Sequence, residues 1–141
     1  MNITFKTFDK LPEKAMYIRT IVFVDEQGFV DEFDESDNES IHIVMCIDEK
    51  AVGTARIVYL NEHNSYAVGR FAILKEYRNQ GLGRQLMKYV EDEVVKRFGH
   101  IKIGVSSQER ASKFYEKVGY KRTDETYLDQ YCPHVWMIKE L

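Results

Sequence analysis

The residues with the clearest chemical potential form a short run, Arg78-Asn79-Gln80-Gly81-Leu82-Gly83, with Arg84 directly after it. Two glycines one residue apart let a backbone pass close to a ligand. The run stands between a strand-like stretch and a helix-like one, so the N–H groups of a first helical turn point outward without partners. Such a turn suits an anion, and a pyrophosphate fits it. Arg78 and Arg84 flank it with positive charge. Two other glycine-rich readings fail. A Walker loop ends in Gly-Lys-Ser/Thr, whereas Gly83 is followed by Arg84 and Gln85. A dinucleotide fingerprint needs a third small residue where Leu86 stands, and an early βαβ unit that is absent. An anion loop and a plain glycine turn ahead of a helix both remain.

Charge is concentrated elsewhere too. Residues 25–39 hold eight acids (Asp25, Glu26, Asp31, Glu32, Asp34, Glu35, Asp37 and Glu39) and no Lys or Arg. This run could draw in a cationic amine, or be a solvated loop. Arg19 precedes it, one helical turn before Phe23. An arginine there could grip a carboxylate or phosphate on a substrate, or pair with an acid of the 25–39 run. The run lacks the glycine and ligand spacing of an EF-hand, and no zinc-type spacing occurs anywhere. No metal is expected.

These groups need a scaffold, and hydrophobic periodicity supplies one. Asn2 to Thr7 alternates as a strand. A helix follows with Pro12 in its first turn and Leu11, Ala15, Ile18 and Val22 on one face. After the acidic run, read as a loop with one short helical turn, come three strands over 41–47, 52–60 and 66–74, separated at hairpin lengths. Leu82, Leu86, Val90, Val94 and Phe98 recur every fourth residue and predict a helix, closed by Lys96, Arg97 and Gly99. A short strand over 101–105 leads to a second such helix, opened by Ser106 and Glu109 at capping-box spacing and bearing Ala111, Phe114, Tyr115 and Val118. Strands near 120–126 and 134–139 end the chain. The expected class is mixed α/β (α+β), with a mostly antiparallel central sheet flanked by helices.

Bulk properties agree with one such domain over 1–141. The 141 residues are 44% hydrophobic, 13% aromatic and 30% charged, enough for a core without disulfides or metal. A net charge of −3 argues against a nucleic-acid partner. Cys46 and Cys132 stand far apart in no CxxC pair and are expected as reduced thiols. Neither a signal-like start nor a membrane-length apolar run is present, so a cytoplasmic protein without a membrane partner is expected. A monomer or a homodimer is compatible with the chain.

Arg78-x-x-Gly81-x-Gly83 resembles the acetyl-CoA pyrophosphate loop of the GNAT superfamily of N-acetyltransferases, whose pattern is Gln/Arg-x-x-Gly-x-Gly/Ala. Ala111-x-x-Phe114-Tyr115-Glu116-Lys117-x-Gly119-Tyr120 resembles the second signature of that family, one helix and one strand further on. Arg19-x-x-Val22-Phe23-Val24-x-Glu26-Gln27-Gly28, Gly69-Arg70, Gln108 and Pro133-His134-Val135-Trp136-Met137 resemble its YjcF/ElaA-like bacterial branch.

The resemblance implies direct transfer of an acetyl group from acetyl-CoA to an amine. It assigns the cosubstrate to Phe71, Ala72, Ile73, Arg78, Asn79, Gln80, Gly81, Leu82, Gly83, Arg84, Gln108 and Phe114. Gln108 replaces the asparagine that many members direct to the pantetheine arm. Tyr115 matches the general acid of the family, and the backbone of residues 71–73 would face the thioester oxygen. His134 is a candidate general base, because imidazole titrates near neutrality. Glu26 and a water chain are weaker candidates. Arg19, Phe23, Gln27 and His134 are expected to face the acceptor, a small-molecule primary amine such as an amino acid or amino sugar. Two alternatives remain: a non-catalytic acyl-CoA-binding regulatory module, and a peptide or protein N-acetyltransferase.

Overall fold

A computed structural model describes residues 1–141. The order is β1 (Ile3–Phe8), α1 (Glu13–Arg19), β2 (Ile41–Ile47), β3 (Lys50–Leu60), β4 (Ser65–Ile73), α2 (Leu82–Phe98), β5 (Lys102–Gln108), α3 (Ser112–Lys117), β6 (Lys121–Asp129) and β7 (Cys132–Glu140). The strands form a seven-stranded sheet in the order β1-β2-β3-β4-β5-β7-β6. Only β4 and β5 are parallel neighbours; the other pairs run antiparallel.

Period-two alternation decides which face each strand residue covers. In β2, Ile43, Met45 and Ile47 pack with Leu86, Met87, Val90 and Val94 of α2. Val44 and Cys46 point the other way, to Ala15 and Ile18 of α1 and to Val22 and Phe23. The sheet is thus covered by α2 on one side and α1 on the other. Each buried Ile, Leu or Val stabilises this arrangement by about 1.5–3 kcal/mol. Both cysteines are free and buried. No helix is long and apolar enough to cross a membrane.

Three local expectations change. Pro12 is the N-cap of α1 rather than part of its first turn, and beyond Arg19 the helix widens into π-helical turns over Thr20–Glu26. π-type turns inside helices often accompany functional sites. The expected Ser106/Glu109 capping box does not form. β5 extends to Gln108, Ser106 Oγ bonds the Tyr127 hydroxyl, and Glu109 pairs with Arg122. Continued pairing of β5 with β7 outweighs the local cap, leaving α3 only six residues long. The acidic run contains a 3-10 turn over Glu35–Glu39, but it is not simply solvated: Glu32 and Asp37 are buried.

Candidate active site

The site begins where the sheet comes apart. β4 and β5 pair only at Ala67–Gly104 and Val68–Val105. Beyond them β4 stays with β3 and β5 stays with β7, so the facing edges separate. Close to the parting, β4 carries one residue more than β3 between Thr54 and Arg56, and Arg70 takes a left-handed φ of 48°. A bulge of this kind re-aims the side chains that follow it. Phe71 then lines two cavities, one toward α2 and one toward the acidic segment.

The cavity toward α2 has about 350 Å³ and is lined by Ala72, Ile73, Asn79, Gly83, Arg84 and Phe114, with Arg78 and Gly81 at the turn. Gly81 caps α2 at φ 79° without a side-chain cap, leaving the first-turn N–H groups free. A Cβ on Gly83 would stand 3.0 Å from the Phe114 ring, so a side chain there requires the ring to give by a few tenths of an ångström. An uncapped N-terminus of a 17-residue helix, beside Arg84, is a cradle that fits a pyrophosphate. Gln80 and Leu82 contribute backbone only. The Gln80 amide bonds Glu76 O, and Leu82 is buried in the core. Arg78 is already engaged: Nε donates to Ile73 O at 2.8 Å, and Nη1 and Nη2 donate to the Glu26 carboxylate at 2.6 and 2.8 Å. The Arg78 hydrogen bonds hold the Glu26 carboxyl below its usual range despite partial burial. Glu26 lines neither cavity and is a poor proton acceptor.

The second cavity has about 430 Å³. Tyr115, Gln108, Gln27, Phe23 and His134, expected from distant parts of the sequence, all line it. The Tyr115 ring meets Phe71, Phe114 and Tyr120 edge-on. Burial pushes its phenol well above the ordinary tyrosine value, so the hydroxyl stays protonated. Gln108 and His134 are direct partners across β5 and β7. His134 Nδ1 lies 2.9 Å from Cys132 O. A carbonyl only accepts, so Nδ1 carries the hydrogen and Nε2 of the neutral ring is left with its lone pair. Gln108 accepts from Arg110 Nε and donates to Gln27 Oε1 at 2.8 Å; it lines the cavity toward the acidic segment and not the one toward α2, where the cosubstrate is expected.

Arg19 does not reach this cavity. It is 1% exposed, and four of its N–H bonds are spent: Nε on Glu32 Oε2 at 2.9 Å, Nη1 on Asp37 Oδ1 at 2.7 Å, and Nη2 on Asp37 Oδ2 and Glu32 O at 3.1 Å each. Its pairing with the acidic run is realised, in the interior rather than at the surface. Arg56 donates to Asp37 at 2.8 Å and to Asp34 at 3.2 Å, while Arg70 Nε lies 2.9 Å from Glu32 Oε2. Burial alone would raise the Asp37 carboxyl; the Arg19 and Arg56 bonds outweigh it and bring the value to about 2. His42 donates from Nε2 to Asp37 O, and burial keeps its imidazole below the ordinary value. This network fixes the loop whose Glu32 and Asp34 form cavity wall.

The opposite wall comes from the β6–β7 hairpin. Gln130 accepts from Val30 N–H at 3.0 Å and donates to Val30 O at 2.7 Å. The Tyr131 hydroxyl donates to Gln27 O, and its ring stacks on Phe29 at 5.3 Å. Sequence reasoning missed Phe29, Asp129 and Gln130 as lining residues, because nothing in their local pattern indicates a partner one hundred positions away.

Residues 15–141 match the family described as "Acetyltransferase (GNAT) domain". YjcF of Bacillus subtilis, named as an N-acetyltransferase, is 35% identical over 129 residues, covering 89% of this chain and 90% of its own. ElaA of Escherichia coli is 24% identical over 130 residues, covering 89% of this chain and 85% of its own. Its crystal structure superposes with a TM-score of 0.86 at 22% identity, over 99% of this chain and 100% of that one. A GNAT acetyltransferase of Elizabethkingia anophelis with acetyl-CoA bound shares the fold at a TM-score of 0.74 and 17% identity, over 99% of each chain.

Proposed function

The chain belongs to the GNAT acetyltransferase family, and from that premise we propose that it transfers an acetyl group from acetyl-CoA directly to a primary amine of a small molecule. The observation that carries the reading is the meeting of two cavities at Phe71, with an anion cradle on one side and Tyr115 with His134 on the other.

When bound, acetyl-CoA supplies an activated acetyl thioester. The α2 N-terminus, Gly81, Gly83 and Arg84 hold its pyrophosphate. The unpaired edge of β4 at Phe71–Ile73 takes the pantetheine arm as a strand would and directs N–H groups at the thioester oxygen. Holding both reactants at one place supplies most of the acceleration. His134 Nε2 takes a proton from the incoming amine. The amine nitrogen bonds to the acetyl carbon as the carbon–sulfur bond breaks, and Tyr115 returns a proton to the departing sulfur. The products are an amide and free CoA thiol, with one proton released for each ammonium consumed. A phenol with a raised pKa remains a fitting donor, because the same apolar surroundings penalise a thiolate.

The size of the acceptor is read from the walls. Residues 27–34 and 129–134 enclose the cavity from two sides, tied by Gln130–Val30 and Tyr131–Gln27. A peptide needs an open groove there. Release of free thiol from acetyl-CoA, measured against free amines and peptides, tests the reading. Turnover with free amines above peptides is expected. Peptide preference overturns the small-molecule acceptor, and acetyl-CoA binding without turnover on any amine leaves an acyl-CoA-binding module.

A further inference from the structure

The charged groups around the acceptor cavity are unevenly satisfied. Glu32 is bonded by Arg19 and Arg70, and Asp34 by Arg56 with Arg70 nearby at 3.6 Å. Arg70 is the only Arg or Lys on the wall; it forms ion pairs with Glu32 and Asp34 and donates from Nη2 to Glu32 O. Asp31 and Asp129 also line the cavity, and no ion pair or side-chain hydrogen bond engages either carboxylate. Both are exposed, so they mark the solvent end. The double hydrogen bond between Val30 and Gln130 holds their chain neighbours, Asp31 and Asp129, on adjoining stretches of the wall. Phe23, Phe29 and Val68, all buried, line the same cavity. His134, only 6% exposed, has Nδ1 committed to Cys132 and Nε2 without a protein partner. A buried acceptor without a partner, three buried apolar side chains and two exposed, unpaired carboxylates on one cavity describe the chemistry of a ligand.

We propose that the acceptor is dicationic, an alkyl diamine or polyamine whose reacting amine lies toward His134 and Tyr115 while its second ammonium is held between Asp31 and Asp129. This rests on the amine-acetylating reading of the site. The methylene chain packs on Phe23, Phe29 and Val68, burying apolar surface. A free amino acid fits poorly: its carboxylate meets two unpaired acids at the mouth, and the charge of Arg70 is already offset by Glu32 and Asp34.

The test separates binding from turnover. Calorimetric titration into the CoA-saturated protein compares α,ω-diaminoalkanes, monoamines of equal chain length, and ω-amino acids. A diamine should bind at least about tenfold more tightly than its monoamine, with the difference shrinking as salt is added. The double substitution Asp31→Asn with Asp129→Asn should bring diamine affinity down to the monoamine level and leave monoamine affinity unmoved. Because neither carboxylate holds the fold together, the variant's melting temperature should match the parent's. Equal affinity for diamine and monoamine, an unchanged preference in the variant, tighter binding of the amino acid, or no diamine binding at all each overturns the proposal. Diamines that bind selectively while no amine of any class is acetylated would sink the transferase reading and leave the dicationic site standing. Monoamine turnover without diamine preference would do the reverse.

Discussion

The two cavities that meet at Phe71 are built on opposite principles. The one toward α2 is made of consecutive backbone: a turn, two glycines and the first N–H groups of one helix. The one toward the acidic segment is made of side chains from several distant stretches of chain, held by buried arginines that never touch a ligand. A backbone cradle is specified by local residue choice and tolerates change around it. A side-chain cavity depends on every element that carries it, and on long-range contacts.

The sharpest way to break this contrast is at Arg19. Arg19→Ala removes the buried partner that Asp37 and Glu32 share, leaving Arg56 on Asp37 and Arg70 on Glu32, with an expected loss of about 3–5 kcal/mol. Urea denaturation measures it. A change below about 1 kcal/mol would mean that the network does not carry the acceptor wall.

Tyr115→Phe keeps the ring contacts and removes only the proton donor. Turnover should fall about a hundredfold or more, with acetyl-CoA affinity nearly unchanged. Unaltered turnover would remove Tyr115 from the chemistry.

Acid sharpens the comparison at two groups of the buried network behind the acidic-segment cavity. His42 and Asp37 both titrate lower in the folded chain than in the unfolded one. The unfolded chain therefore binds protons first. The stability owed to His42 is whole above its ordinary value of 6.5 and is lost as pH falls below it. The stability owed to Asp37 is whole above 3.8 and disappears as pH falls through about 2. Urea midpoints measured from neutral to acid should fall in these two stages, and Asp37→Asn should diminish the lower one.

Smaller effects are expected at the cradle. Gly81→Ala must keep a left-handed residue at φ 79°, a strain of about 1–2 kcal/mol. Its acetyl-CoA KM should rise roughly five- to tenfold, with kcat little changed. Smallest of all, Glu26→Gln weakens the hold on Arg78 and should lower the acetyl-CoA KM about two- to threefold, as expected for a half-exposed pair. A higher KM would mean that Glu26 positions Arg78 instead of competing for it.

Much of the cradle is legible in the sequence. Gly81 and Gly83 announce a turn, and the four-residue recurrence from Leu82 to Phe98 announces the helix behind it. The sheet is legible for a similar reason, since alternation in Ile41–Ile47 divides its side chains between two faces. The capping box misleads because its residues satisfy a local rule while β7 offers Ser106 and Gln108 a full ladder of hydrogen bonds. Arg19 stands out in the sequence as unusual, but its partners lie 13 and 18 residues on, beyond what helical spacing can decide.

By itself the sequence determined the class of fold, the glycine turn ahead of α2 and the presence of Tyr115 and His134 on elements able to carry them. Those features depend on neighbours within a few residues, where backbone geometry and periodicity act. The tertiary structure alone decided that β4 and β5 part after Val68, that Arg19 faces inward, and that Asp31 and Asp129 share one cavity. Such outcomes depend on contacts between segments up to a hundred residues apart, and no local preference encodes which of them will form.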